Sequence, residues 1–313
     1  MRYVRAGTAG LKLTEVSFGS ALTIGTENRN PDYAQQLVDK AWEFGIRSFD
    51  VSNNYGYGEA ERLTSAALKK YPREEYVIST KGSWPIGDTP YHRGLSRKHI
   101  LWAFETSMER MDLDYVDLYY AHRYDPDTAM EEIVRTFNWL IQQGRVRYWA
   151  TSEWPVSALE ECHAVCDRLG LEKPILEQFL YSFAIQKART NGVMDFCEAK
   201  GVGMMAFSPL CQGLLTGKYR SGVPAQSRIS KSAALQYDKT ANFYEQNKER
   251  IDRFVALCDE RGYLGSQVAL QWCLKNNVLP VVGASRPEQL DETLQGLTLE
   301  PPEDFWDELR RIR

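Results

Sequence analysis

The chain has 313 residues, 43% hydrophobic and 26% charged, with a formal net charge of −4. Such a chain can bury a large core without disulfides or metals, and its slight acidity leaves no broad basic face for nucleic acid. The opening MRYVRAGTAGLKLTE carries no apolar signal core, no stretch reaches the roughly 20 apolar residues of a membrane helix, and the six cysteines are scattered, so a cytoplasmic protein with reduced thiols and no membrane insertion is expected.

The first segment, RYVRAGTAGLKLTEVSFGS, reads as a hairpin turning at Gly7-Thr8-Ala9-Gly10, then a strand around Val16 to Gly19. PDYAQQLVDKAWEFG (31–45) places Ala34, Leu37, Val38, Ala41 and Trp42 at helical spacing. IRSFDV predicts a strand, 59–70 a helix, and YVISTK (76–81) a strand. Ser96 suits the cap of a helix running to Met111. YVDLYYAH (115–122) is a strand, 128–143 a helix and VRYWATS (146–152) a strand. A helix over 155–169 opens on Pro155, a favourable first-turn residue. PILEQF (174–179), a helix over 189–200 and VGMMAFS (202–208) follow. The Gly/Ser/Pro-containing segment 209–240 breaks the rhythm. Helices resume at 243–260 and 266–275, then come NVLPVVG (277–283), a helix over 287–295 and a terminal helix over 305–311.

Eight strands, each followed by helix, with no composition shift, predict a single domain over 1–313. It is an α/β fold: a (β/α)8 TIM barrel with an N-terminal hairpin and extra C-terminal helices. A doubly wound open sheet is the alternative. In such barrels active sites lie at the C-terminal strand ends. Read in order, those ends give Ser20; Asp50 with Tyr55 in its loop; Lys81; His122; Ser152; Gln178; Phe207 with Ser208; and Gly283 with Ser285.

Each has an ordinary structural reading: an aspartate as a turn residue, a lysine as a solvated head, a histidine as a bonded core group. Together, an acid, a phenol, an ammonium and an imidazole at three consecutive strand ends suggest chemistry. A phenol near pKa 10 exchanges protons poorly at neutral pH. An ammonium about 4 Å away favours the phenolate by about 4 kcal/mol at an effective dielectric near 20, which predicts a phenol pKa lowered by up to roughly 3 before desolvation. Asp50 would hold Lys81 in place, and His122 would donate to a carbonyl oxygen. A phenol so placed protonates an oxygen becoming alkoxide, and the hydride then implies nicotinamide.

Over nearly its whole length the chain resembles the aldo-keto reductases. The pieces that carry this are GIRSFDVSNNYGYGEAE, ISTKGSW, RGLSRKHI, MDLDYVDLYYAHRYDPDTAMEE, TSEW, LEQFLYS, FSPLCQGLLTGKY and VVGASRPEQLDET. It is most similar to the branch of potassium-channel beta subunits and their microbial reductase relatives. The resemblance implies NADPH-dependent reduction of aldehydes or ketones, with NADPH preferred to NADH. It implies catalytic roles for Asp50, Tyr55, Lys81 and His122. Ser152 and Gln178 would hold the nicotinamide carboxamide and Phe207 would stack on its ring, with Ser20 and Asp50 beside it. Ser208, Pro209, Leu210, Gln212, Gly213 and Lys218 would line the pyrophosphate path. Lys218, Arg228, Gly283, Ser285 and Gln289 would surround the adenosine phosphate, with Glu292 toward the adenine. Independently, the glycines and lysine of 213–218 suit backbone approach to an anion, as does a helix start near Arg286.

Several positions depart from the family's pattern. Many members carry tryptophan or tyrosine where Phe207 stands, and the wider superfamily often has a basic pair at the last strand where this chain has Gly283 and Gln289. The animal channel subunits carry asparagine at the position of His122 and arginine at that of Glu153; both differences point to an enzyme. The other readings are an NADPH-binding regulatory subunit of a potassium channel with little turnover, and a cofactor-free isomerase or lyase. The family also implies a homo-oligomer, a dimer or tetramer.

Trp84, Tyr124, Trp154 and Tyr181 follow strand ends and either form a substrate pocket for a small carbonyl compound or cover the rim. Arg93 and Arg123 flank the mouth. GVGMMA (201–206) matches a dinucleotide motif but precedes its strand, so it reads as a helix end. Cys162 and Cys166 lie one helical turn apart with His163 pointing elsewhere, so no metal site is expected.

Overall fold

The computed structural model describes residues 1–220, 222, 227 and 239–312. Two short strands, β1 (Tyr3–Arg5) and β2 (Lys12–Thr14), pair antiparallel as the expected hairpin. Eight parallel strands follow: β3 (Ser17–Gly19), β4 (Ser48–Asp50), β5 (Val77–Gly82), β6 (Val116–Ala121), β7 (Val146–Ser152), β8 (Leu176–Leu180), β9 (Gly203–Phe207) and β10 (Leu279–Val282). They hydrogen-bond in sequence order, and β10 returns to β3, so the barrel closes and leaves no free sheet edge. The open-sheet alternative is thereby excluded.

Two apolar layers hold the barrel. Its interior is filled by Leu118, Tyr120, Ala150, Leu176, Met205, Leu279 and Val281, with Ala6 and Leu13 from the hairpin below them. The hairpin is thus a plug. Its Gly7, at φ +59°, lies so close to the β9 entry that an added Cβ would meet Gly201 O at 2.2 Å. The larger layer lies between strands and outer helices, and includes Phe49, Ile78, Phe104, Tyr119, Phe137 and Trp149.

The helices begin and end where local chemistry dictates. Helix α1 (Pro31–Glu43) starts on Asn30, whose side chain accepts from Asp32 N at 2.9 Å. Helix α2 (Glu59–Leu68) leaves a left-handed Gly58. Helix α3 (Arg97–Met111) is capped by Ser96, which accepts from His99 N. Helices α4 (Met130–Gln142) and α5 (Val156–Leu169) follow, with Pro155 at the cap position, one residue before its expected place inside the helix. The helix expected over 189–200 is two, α6 (Lys187–Thr190) and α7 (Val193–Lys200), because Gly192 turns left-handed at φ +85° between them. After β9 comes a 3-10 segment, Cys211–Thr216. Helices α8 (Lys239–Glu260), α9 (Gly265–Lys275), α10 (Pro287–Leu294) and α11 (Glu303–Arg311) complete the described chain. Among the described residues no helix is long and apolar enough to cross a membrane, and no three His, Cys, Asp or Glu side chains could share a metal. Gly201 ends α7 in the left-handed conformation, so GVGMMA is a helix end running into β9.

Glu177 is fully buried on β8, facing away from the barrel interior that its neighbours Leu176 and Gln178 occupy. Burial pushes its carboxyl from 4.5 up to about 8, although Trp154 N donates to it at 3.0 Å. A raised folded-state value means stability is full below about pH 4.5 and is lost as pH rises through about 8. Chemical denaturation across that window should show the loss, about 1.4 kcal/mol for each tenfold difference in proton affinity between the folded and unfolded chain. Glu177→Gln should flatten it. An unchanged slope in the variant would show that Glu177 does not titrate there.

Candidate active site

Asp50 ends β4, and its neighbours in the closed barrel bring the partners. Parallel register sets Asp50 beside Ser79 of β5, whose hydroxyl donates to Asp50 Oδ1 at 2.7 Å. Two residues on, the same inward face of β5 presents Lys81. Its fully buried ammonium donates to Asp50 Oδ2 at 2.5 Å, to Val51 O at 2.8 Å and to the Tyr55 hydroxyl at 3.4 Å. Gln178 Nε2, from across the barrel, reaches Asp50 Oδ1 at 3.4 Å and Met205 Sδ at 3.2 Å.

Tyr55 opens a tight turn, Tyr55–Gly58, in which Gly56, Tyr57 and Gly58 all have positive φ. Gly56 is required there: a Cβ would meet Gly25 O at 2.3 Å. The turn is therefore pressed onto the loop after β3, and that contact aims the phenol at Lys81. His122 follows β6 and is buried, its ring edge-on to Tyr55 at 5.9 Å and to Trp84 at 6.1 Å between centroids. The four ionisable groups expected from the sequence thus converge on one mouth.

The electrostatics differ from the expectation at Tyr55. Its pKa is raised, because burial outweighs Lys81 and the Asp50 carboxylate also opposes ionisation. The phenol is not the lowered acid that an isolated ammonium would produce; the ammonium is already matched by Asp50. Burial opposes charge on Lys81 too, but Asp50 and Tyr55 outweigh it and raise its pKa, so it stays an ammonium. Burial, then Lys81 and Arg123, hold His122 well below the ordinary imidazole value, so it is neutral.

The cofactor candidates fall into three groups. At the mouth, buried Ser20 bonds Asp50 O at 3.2 Å, and buried Ser152 accepts from Arg123 at 3.0 Å. Half-buried Phe207 shares the Arg123 guanidinium with Trp84, at 5.9 and 5.2 Å. Beyond β9, left-handed backbone recurs at Ser208, Cys211, Gln212, Gly213 and Gly217, flanking Pro209 and Leu210. Gly213 lies against the Lys218 ammonium, which an added Cβ would meet at 2.9 Å. After β10, exposed Gly283 lies close to Gly19 O, and Ser285 N donates to Gln289 Oε1 at 3.0 Å. Helix α10 begins without a side-chain cap, and Glu292 accepts from Ser266 at 3.1 Å. Arg228 lies outside the described residues. A strained backbone beside an ammonium, and an uncapped helix start, are features that suit a phosphate-bearing ligand.

Two pocket candidates are placed otherwise. Trp154 and Tyr181 are each 1% exposed. Trp154 donates its indole N–H to Ala121 O and packs edge-on to Tyr124, so it supports the rim from behind. Trp84, 40% exposed, and half-buried Tyr124 remain at the mouth. Sequence reading passed over Ser79 and Ser52, yet both were reachable: Ser79 shares the inward parity of Lys81, and Ser52 lies two residues from Asp50.

A closed eight-stranded barrel with an acid, a phenol, an ammonium and an imidazole at its mouth defines a class, the aldo-keto reductases. The chain belongs to it: the model described as "Aldo/keto reductase family" matches residues 15–313. The chain is 35% identical over 297 residues to the putative voltage-gated potassium channel subunit beta of Schizosaccharomyces pombe, covering 93% of this chain and 86% of that protein. It is 36% identical over 309 residues to the probable voltage-gated potassium channel subunit beta of Arabidopsis thaliana, and 34% over 308 to that of Oryza sativa subsp. japonica. Those two alignments each cover 96% of this chain and 92% of the relative.

The Asp50–Lys81 pair sets a stability prediction. Asp50→Ala strands a buried ammonium and should cost roughly 3–5 kcal/mol in denaturant unfolding, while Asp50→Leu with Lys81→Met should recover most of it. A double variant that loses as much as the Asp50→Leu and Lys81→Met single variants added together would show that the pair is not energetically coupled.

Proposed function

We propose that the protein reduces an aldehyde or ketone to an alcohol with NADPH, Tyr55 giving the proton. The observation that carries this is the Tyr55 hydroxyl 3.4 Å from a buried ammonium and beside a neutral His122. Bound NADPH supplies the hydride. The raised pKa keeps the phenol protonated at neutral pH, so its proton is present when an alkoxide forms. Lys81, locked by Asp50 and Val51, then faces the phenolate oxygen with no further reorganisation. His122 orients the carbonyl oxygen. Ser152 and Gln178 present polar groups to the carboxamide, Phe207 presents a ring face, and Lys218 presents charge to phosphate.

Tyr55→Phe should lower NADPH-dependent reduction of a panel from methylglyoxal and glyceraldehyde to aromatic aldehydes by roughly 10²–10⁴-fold, without weakening nucleotide binding. Full turnover in that variant would refute the role of Tyr55. Lys218→Ala should weaken NADPH about tenfold or more and NADH less, because only NADPH carries the adenosine phosphate that a charge-assisted contact would hold; equal weakening of both would place Lys218 at the shared pyrophosphate alone.

The names of the relatives favour a second reading, a nucleotide-binding channel subunit with slow turnover. Tight NADPH binding, negligible turnover over the panel and co-purification with a potassium channel would replace the reductase reading with this one.

A further inference from the structure

Ser52 and Asn54 stand behind the His122 imidazole. Ser52 Oγ lies 2.7 Å from Asn54 Oδ1, 3.2 Å from His122 Nδ1 and 3.5 Å from Lys81 O. Ser52 is wholly buried and His122 nearly so. A serine hydroxyl has one proton to give. An amide oxygen cannot donate, so the 2.7 Å contact takes that proton. The contact to Nδ1 is then satisfied only if Nδ1 carries a proton of its own.

His122 is neutral and has a single N–H to place. With the proton on Nδ1, Nε2 is a bare acceptor. Such a nitrogen takes a hydrogen bond from an alcohol O–H and has nothing to give a carbonyl oxygen. Turning the Asn54 amide by half a rotation reverses the chain. Nδ2 then donates to Ser52 Oγ, Ser52 donates to Nδ1, and the imidazole proton belongs on Nε2. The ring loses one proton and regains one from solvent, so its charge is unchanged. No hydrogen-bond partner of Asn54 Nδ2 occurs among the described residues, so the turn forfeits no protein hydrogen bond.

We propose that the Asn54 amide, acting through Ser52, sets the tautomer of His122 and so switches its substrate-facing nitrogen between an acceptor fitted to an alcohol and a donor fitted to a carbonyl. Ser52 and Asn54 are positioning residues; of the three, only His122 meets the substrate. The tautomer follows from the hydrogen bonds, whereas its consequence for turnover rests on the reductase reading above. An enzyme working on a carbonyl–alcohol pair meets both hydrogen-bond polarities at one oxygen, and a fixed tautomer matches only one.

The test is nitrogen NMR of the protein labelled at its four histidines, above neutral pH, with His122 assigned by its loss in His122→Gln. Two substitutions at one position should act oppositely. Asn54→Asp can only accept, so it holds the proton on Nδ1; Asn54→Ala frees Ser52 to donate, so the proton moves to Nε2. Carbonyl reduction should fall roughly 100-fold in Asn54→Asp, be kept in Asn54→Ala, and nucleotide affinity should be alike in both. Ser52→Ala, a second route should either variant fold poorly, should leave a tautomer mixture that no longer responds to residue 54. The same His122 tautomer in Asn54→Asp and Asn54→Ala overturns the proposal. Opposite tautomers with no turnover on any carbonyl support the relay and sink the reductase reading alone.

Discussion

The buried ion pair between Lys81 and Asp50 is the constraint around which the barrel mouth is arranged. An ammonium with no exposure survives only if every donor is matched, because desolvation of an unpaired charge costs several kcal/mol. Here the three donors find Asp50, Val51 O and Tyr55. The carboxylate is held in turn by Ser79 and Gln178. Four of the eight barrel strands, β4, β5, β8 and through Met205 β9, are thereby tied to one charge pair. The phenol is the least tightly held member, which leaves its oxygen free to face a reacting group.

Backbone strain supports this charge pair. Non-glycine residues in the left-handed region recur near the barrel mouth: Tyr57 after Tyr55, Glu153 after Ser152, and Ser208, Cys211 and Gln212 after Phe207. Strain of this kind persists only where surroundings over-determine it. The contact of Gly56 with Gly25 O shows how: the loop after β4 is wedged against the loop after β3, and the closed barrel cannot relax to relieve it. The hairpin plug at the other end plays the matching part, filling the floor so that inward side chains cannot sink.

Much of the candidate site was legible from sequence because strand ends and inward parity are one-dimensional facts. Asp50 and Ser152 end their strands and Lys81 lies one residue from the end of its own, and in a closed parallel barrel such ends share one rim; Gln178 is the middle residue of β8 but pairs in register with Ser152. The strand–helix alternation gave all eight barrel strands to within a few residues for the same reason. The sign of the Tyr55 shift was not legible. Pairing phenol with ammonium alone predicts a lowered pKa; only the depth of burial and the position of Asp50 reverse it. Nor could the sequence separate Trp84 from Trp154, since both follow strands, and only packing put one at the mouth and the other behind the rim.

The amino-acid order by itself determined the class of fold, the family pattern and which side chains share a rim, because periodicity and strand termini are local properties. Tertiary structure decided which of those groups touch, which are charged, and which way their hydrogen bonds run. Desolvation and hydrogen-bond direction depend on neighbours tens to more than a hundred residues away, as Gln178 on Asp50 shows, and no local pattern encodes them.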